Sequence, residues 1–326
     1  MKIGVFTILF NDLPLGQTLD YLKALGVEAA EIGTGGYSLS NHCDLEGCLE
    51  SPAKLEAFRD EFKKRDMMIS ALSAHGNPVH PDKDYAMIHH SRFEKSVLLA
   101  EKLGVDVINV MSGTPGGGPD DKVPNFITGP WPDDFAKALE YQWNEVLIPY
   151  WTKAAAFAAE HGVTKLAIEP HGNCCVHNTE TLLKLRNAVG KTIGCNFDPS
   201  HFYWQGMDPA LAILELKDAI FHFHAKDCYI NRNIVDKIGV LDAKPYSAFQ
   251  ERAWNFRTVG YGHSEDEWKR MMSALATVGY DYVISAEHED CLMTREEGLE
   301  KCIETLKKVI IKDKVKVMWW EMRAEG

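Results

Sequence analysis

Four residues able to bind a divalent cation, Glu169, Asp198, His224 and Glu287, each stand at the tail of a separate short apolar run. The runs are Lys165-Leu-Ala-Ile-Glu, Ile193-Gly-Cys-Asn-Phe-Asp, Phe221-His-Phe-His and Tyr282-Val-Ile-Ser-Ala-Glu. Three carboxylates and one imidazole make an oxygen-rich donor set. Such a set suits one manganese ion best, admits magnesium, cobalt, iron or zinc, and differs from the Cys/His shell of structural zinc. Each residue alone has an ordinary explanation: Glu169 or Glu287 as a salt-bridged acid, His224 as a hydrogen-bonded core histidine, Asp198 as the cap of an Asp-Pro-Ser turn. Four coincidences in succession favour a shared metal site, because an unpartnered buried carboxylate is expensive unless it is paired or ligating.

The elements that would position these groups follow from the same runs. Short apolar segments read as buried parallel strands, and residues just past their carboxyl ends converge where such sheets hold their active sites. Strands are expected near 2–9, 28–32, 67–74, 105–111, 165–169, 193–197, 220–225 and 281–286. Helical patterns follow near 15–25, 52–65, 85–103, 137–161, 179–189, 208–217, 264–278 and 295–311, several ending at a glycine such as Gly26, Gly104, Gly162 or Gly279. Eight strand–helix pairs predict the α/β class and a closed (β/α)8 TIM barrel, a single domain over 1–311 with a tail at 312–326. Trp319 and Trp320 in that tail are candidates to pack on the barrel or on another subunit. Two insertions, 112–132 after strand four and 228–261 after strand seven, fall on the face of the four donors and are expected to shape a pocket. No Gly-x-Gly-x-x-Gly follows a strand, which argues against a dinucleotide site.

Composition narrows the partners. The chain has 326 residues and a formal charge of −12, which disfavours nucleic acid and leaves a small-molecule substrate as the better fit. Its eight cysteines form no CxxC pair and are expected to be reduced thiols of a cytoplasmic protein. The opening apolar run lacks a cleavage site, and none reaches the roughly 18 residues of a membrane span. A homo-oligomer is left open.

Other candidates are weaker. His75, in Ser73-Ala-His-Gly at the end of strand three, points to the same rim and is either substrate-binding or structural. Lys226 and Asp227, which follow His224 after Ala225, either position substrate or pair with each other. Arg257 could grasp a hydroxyl or carboxylate or form a rim salt bridge, and Trp131 and Trp204 could wall a sugar face or belong to packing. Cys174-Cys175 is expected to be inert.

The segments Ile168-Glu-Pro, Asn196-Phe-Asp-Pro-Ser-His, His222-Phe-His-Ala-Lys-Asp, Arg257-Thr-Val-Gly-Tyr-Gly and Ser285-Ala-Glu-His-Glu carry a resemblance. Over nearly its whole length the chain resembles the sugar phosphate isomerase/epimerase family of xylose isomerase-like barrels. The resemblance implies that Glu169 and Glu287 are metal-binding glutamates, which in the family's epimerases also transfer the proton. It implies that Asp198 and His224 complete the ligand set. His201 resembles a family histidine that contacts a substrate oxygen, with orientation of Asp198 as its alternative role.

The physical logic agrees with that assignment. A proton α to a ketone is abstracted only if the developing enediolate is stabilised, which a chelating divalent ion does as a Lewis acid. Return of the proton on the opposite face gives epimerisation, return to the neighbouring carbon gives isomerisation, and loss of a β-leaving group gives elimination. The expected activity is therefore a metal-dependent isomerase or epimerase of a ketose or related keto-sugar, with a keto-sugar dehydratase or keto-glycoside lyase as the alternative. A non-catalytic metal-binding subunit and an endonuclease IV-like phosphodiester hydrolase are more remote. The nuclease needs three zinc ions, and this chain has Met111 and Trp254-Asn-Phe where the extra ligands would stand. Against a ketose 3-epimerase, His171-Gly-Asn-Cys-Cys-Val lacks the acid that grips substrate hydroxyls in those enzymes. That departure and the long insertions point to a larger or differently oxidised substrate.

Overall fold

Each apolar run pairs in parallel with its neighbour until the sheet closes on itself. A computed structural model describes residues 1–313, 315, 317 and 318, so Trp319 and Trp320 lie outside the described residues. The strands are β1 Lys2–Phe6, β2 Ala29–Gly33, β3 Met68–Ser73, β4 Val107–Val110, β5 Lys165–Ile168, β6 Ile193–Phe197, β7 Ile220–Ala225, β8 Asp227–Ile230, β9 Trp254–Arg257 and β10 Val283–Ala286. Eight of them close a barrel in the order β1-β10-β7-β6-β5-β4-β3-β2, every pairing parallel. The chain is thus a single (β/α)8 domain, with helices between successive barrel strands. Helix ends follow the sequence signals: Ser264 and Thr294 cap the helices Glu265–Thr277 and Arg295–Val309, and Gly104 ends Lys83–Leu103 at φ +70°.

The two faces of each strand divide the labour. Ile32, Leu72, Ile108, Leu166, Ile168, Cys195, Phe197, Phe223 and Ile284 belong to the main apolar core together with Leu19, Val97, Trp151, Leu182, Ile213 and Trp268 from the helices. The interior is closed at the bottom by Ala71, Val107 and Ala167 with Phe221 and Tyr282. Because side chains alternate, Ser73 and His75, Ala167 and Glu169, Asn196 and Asp198, His222 and His224, and Ser285 and Glu287 share the inward face in pairs. A polar layer therefore lies beneath the mouth.

The structure departs from the expected elements in three places. Thr7–Phe10 is a 3-10 turn, not the end of β1, and Thr7 Oγ1 donates to Glu31 O at 3.0 Å. The helix after strand four begins at Asp133 and widens into a π turn over Gln142–Leu147 before continuing as Ile148–Glu160, where Pro149 supplies no N–H to a regular ladder. The second insertion is no bare loop. It carries the antiparallel pair β8–β9 and the helix Arg232–Ile238.

Asp227 ties this ribbon to the barrel. Its Oδ2 accepts from the amides of Gly260, Gly262 and His263 at 3.0, 3.2 and 3.0 Å and from Trp268 Nε1 at 3.1 Å. Its Oδ1 accepts from the Cys228 amide at 2.8 Å and lies 2.8 Å from His263 Nδ1. Asp227→Ala strands these buried donors, so urea unfolding should report a loss of about 3–5 kcal/mol. A loss below about 1 kcal/mol would remove Asp227 as the anchor of the ribbon.

Candidate active site

The site is built upward from a buried acid. Glu31, in the middle of β2 and fully buried, accepts hydrogen bonds from Ser73 Oγ at 2.6 Å, Asn109 Nδ2 at 2.9 Å and Ser285 Oγ at 2.8 Å. His224 Nε2 approaches its two oxygens at 2.9 and 3.0 Å. Burial alone would raise the Glu31 carboxyl, yet the positive charge of His224, then that of His222, and the hydrogen bonds hold it far below the usual range. Glu31 thereby fixes the ring of His224 so that Nδ1 faces the mouth.

There the four strand-end residues meet. Donor atoms of Glu169, Asp198, His224 and Glu287 all lie within 4.8 Å of one another. His224 Nδ1 stands 3.3 Å from Glu169 Oε2 and 3.0 Å from Glu287 Oε2. Asp198 does two jobs: Oδ1 caps the helix Pro199–Trp204 through the Ser200 amide at 2.9 Å, leaving Oδ2 turned to the site. Asp198 Oδ2 and Glu287 Oε2 are buried without a well-directed hydrogen bond. Both oxygens are met only by charge, Asp198 Oδ2 by Lys226 and Glu287 Oε2 by Lys226 and His224, and clustered carboxylate oxygens beside an imidazole are an environment suited to a divalent cation.

Lys226 supplies positive charge to the same place. Its ammonium, almost wholly buried, lies 3.1 Å from Asp198 Oδ2, 2.9 Å from Glu287 Oε2 and 2.8 Å from Glu289 Oε2, and 4.6 Å from the centre of the Phe256 ring. It pairs with the site's acids and not with Asp227. Burial pushes the Asp198 carboxyl up to about 6, against the pull of Lys226 and with the repulsion of Glu169 and Glu287. Burial opposes ionisation of Glu287 as well, but Lys226 and His224 bring it down to about 2. His224 is disfavoured as a cation by burial, but the charges of Glu31 and Glu287 raise it well above its ordinary value.

Two histidines complete the ring. His75 Nε2 lies 3.2 Å from Glu169 Oε2. His201 Nδ1 accepts from Trp204 Nε1 at 3.3 Å, which leaves its proton on Nε2, 3.3 Å from both Glu169 Oε1 and Asp198 Oδ2. His201 thus faces Glu169 and Asp198 through Nε2, and with Glu169 and His171 it forms a second group of donor atoms within 4.8 Å of one another.

Other expected residues lie elsewhere. Arg257 is engaged by Asp290 in a rim salt bridge, Nε to Oδ2 at 2.9 Å. Trp131 is 81 % exposed and lines neither cavity beside the site. Trp204 is buried against Trp254. Sequence reasoning missed Glu31, Glu289 and His171, whose ring centre is 4.1 Å from that of His201. Glu31 carried a signal: a charge in mid-strand, in Ala29-Ala-Glu-Ile-Gly, must be buried and therefore paired.

The family described as xylose isomerase-like TIM barrels matches residues 19–309. The chain belongs to that family. It is 40% identical over 312 residues to the uncharacterized protein YfiH of Bacillus subtilis (strain 168), covering 95% of this chain and 99% of the relative. The probable 3-DHS dehydratase AsbF of Bacillus anthracis shares the fold at TM-score 0.66 and 16% identity, over 94% of this chain and 99% of the other. The IOLI protein, solved with a zinc atom, matches at TM-score 0.65 and 19% identity over 95% and 98%. D-psicose 3-epimerase, solved in the presence of D-fructose, matches at 0.61 and 15% over 95% and 99%. Among the described residues no helix is long and apolar enough to cross a membrane, and all eight cysteines are free.

Two measurements test the site. Ligation requires His224 to lose its raised proton, so affinity for Mn²⁺ should rise about tenfold per pH unit through neutrality, and more steeply below about pH 6, where Asp198 also binds a proton. A chelator-competition titration giving a flat profile between pH 5 and 8 would refute this. Glu31→Gln should weaken Mn²⁺ binding about 10- to 100-fold by removing the charge that orients His224. Unchanged affinity would show that Glu31 serves the fold alone.

Proposed function

We propose that the chain is a divalent-metal-dependent isomerase or epimerase of a ketose or related keto-sugar. The observation that carries the reading is the convergence of Glu169, Asp198, His224 and Glu287 within 4.8 Å at the carboxyl ends of β5, β6, β7 and β10. These residues would hold the ion, with Mn²⁺ the best match to the donor set. A bound divalent cation supplies Lewis acidity at the substrate's carbonyl and adjacent hydroxyl.

The remaining chemistry belongs to the chain. Glu169 and Glu287 approach from β5 and β10, separated around the barrel by β6 and β7, and so flank the substrate carbon. One carboxylate takes the α-proton and keeps it, and the other, entering the step as the neutral acid, delivers its own proton on the opposite face. His75 and His201 present ring nitrogens to Glu169 and can hold substrate oxygens. Lys226 neutralises the acids between substrate visits.

Elimination of water from a keto-sugar is the second reading. It is favoured by the absence of an acid in His171–Val176 and by the broad cavity beside His201. Likeness to both a 3-epimerase and a probable dehydratase supports the shared enolising step.

The test uses metal-loaded protein with D-fructose, D-psicose and D-tagatose in deuterium oxide. Deuterium should enter the carbon beside the carbonyl, and Glu169→Gln or Glu287→Gln should slow entry about 10²- to 10⁴-fold. Failure of every ketose and keto-acid sugar to exchange would defeat the enolising reading, and cleavage of abasic DNA would replace it with the nuclease.

A further inference from the structure

A cavity of about 450 Å³ opens beside the site between the His171–Asn173 loop and the 240–254 segment of the second insertion, with His201 and Trp204 at its inner end. Its wall is aromatic. Trp204 and Trp254 stack at 4.7 Å and 9°, Tyr246 stacks on Phe256 at 5.7 Å, and Phe256 meets the edge of His201 at 5.4 Å.

In this wall lies a cation without a counter-ion. Arg252 is 2% exposed, its guanidinium carbon 4.4 Å from the ring centre of Tyr246 and 4.8 Å from that of Trp254. Nε donates to the carbonyl of Trp254 at 3.2 Å and Nη1 to that of Lys244. Nη2 has no acceptor, and no carboxylate reaches the guanidinium, among the described residues. Asp242, the acid of the same cavity, is already taken by Lys244 Nζ at 2.9 Å and the Ala253 amide at 2.7 Å. Rings and carbonyls offset only part of the cost of burying a full charge. In a chain of net charge −12, such a group on the cavity wall calls for an anion.

We propose that this cavity receives an oxyanion carried by the substrate, a carboxylate or phosphate remote from the carbon that is enolised, held by Arg252. The proposal deepens the enolising reading and rests on it for the substrate's other end. The guanidinium presents a planar donor edge matched to carboxylate or phosphate, and its clamp between two rings removes most of the entropy of ordering it. A substrate fastened at one end by charge would present its carbonyl to the four donors in one orientation.

Binding separates this site from the chemistry. Tryptophan fluorescence, with Trp254 against Arg252 as reporter, is followed while the protein is titrated with inorganic phosphate, D-glucuronate or neutral D-glucose. Phosphate or glucuronate should bind saturably and glucose at least tenfold more weakly. Arg252→Gln should weaken the anion about tenfold or more, and Arg252→Lys, which keeps the charge and loses the fork, by an intermediate factor. Equal binding of glucose and the anions overturns the proposal, as does an unchanged dissociation constant in either variant; if the glutamine variant fails to fold, the lysine variant decides. Deuterium exchange on D-fructose, D-fructose 6-phosphate and D-fructuronate distinguishes phosphate from carboxylate, with the favoured acid at least tenfold more efficient than fructose. Exchange equal on all three removes the anion site and leaves the enolising reading intact. Anion binding lost in the glutamine variant without exchange on any sugar does the reverse.

Discussion

Concentrated negative charge in a place of low dielectric is the constraint on which the rest of the molecule depends. Glu31, Glu169 and Asp198 are buried and Glu287 nearly so, all within one end of the barrel. Close to them stand the two cations of the site, Lys226 and His224. Acids packed this way repel one another strongly, and their burial is sustained only by cations, directed donors or an added ion. The inward-facing layer below meets part of this demand: Ser73, Asn109 and Ser285 saturate Glu31, and Glu31 in turn sustains the charge of His224. The mouth above is held differently: Asp198 Oδ2 and Glu287 Oε2 face the site and are met by the charges of Lys226 and, for Glu287, His224, without directed hydrogen bonds.

This division explains why the two halves of the barrel wall differ so much in character. Outward faces are ordinary apolar packing under helices, while the inward face passes from Ala71, Val107 and Ala167 at the bottom to serine, asparagine and histidine in the middle and ligating groups at the top. A strand pitch of two residues per repeat converts one register into this vertical order. Any slip would place the acids under the helices, so register and function are fixed together.

The barrel was legible because eight apolar runs alternate with eight amphipathic ones, and the four donors because each ends such a run. Boundaries failed where local chemistry overrode the pattern, as at Thr7, where the chain bends to meet the carbonyl of Glu31, and at Pro149, which disturbs a regular helix. Asp198 illustrates why rival readings need not exclude each other, since one oxygen caps a helix and the other faces the site. Partners that depend on three dimensions were not visible: the Glu31–His224 contact spans 193 residues. Arg252 was equally hidden, because in sequence it is one more charge within a polar insertion. Trp131, attractive beside Gly-Pro, is solvent-facing.

The stem made by β8 and β9 has a consequence for how such a protein changes over time. It begins three residues after His224, its first residue is pinned to the 260–263 turn, and its other strand ends at Arg257 on Asp290. Everything between residues 231 and 253 therefore hangs from a clamped base, outside the barrel's own ladder. That segment can lengthen, shorten or exchange its side chains without moving the strand-end carboxylates. The molecule is organised as a fixed barrel with a separately anchored entrance, an arrangement in which variation at the entrance leaves the strand-end cluster in place.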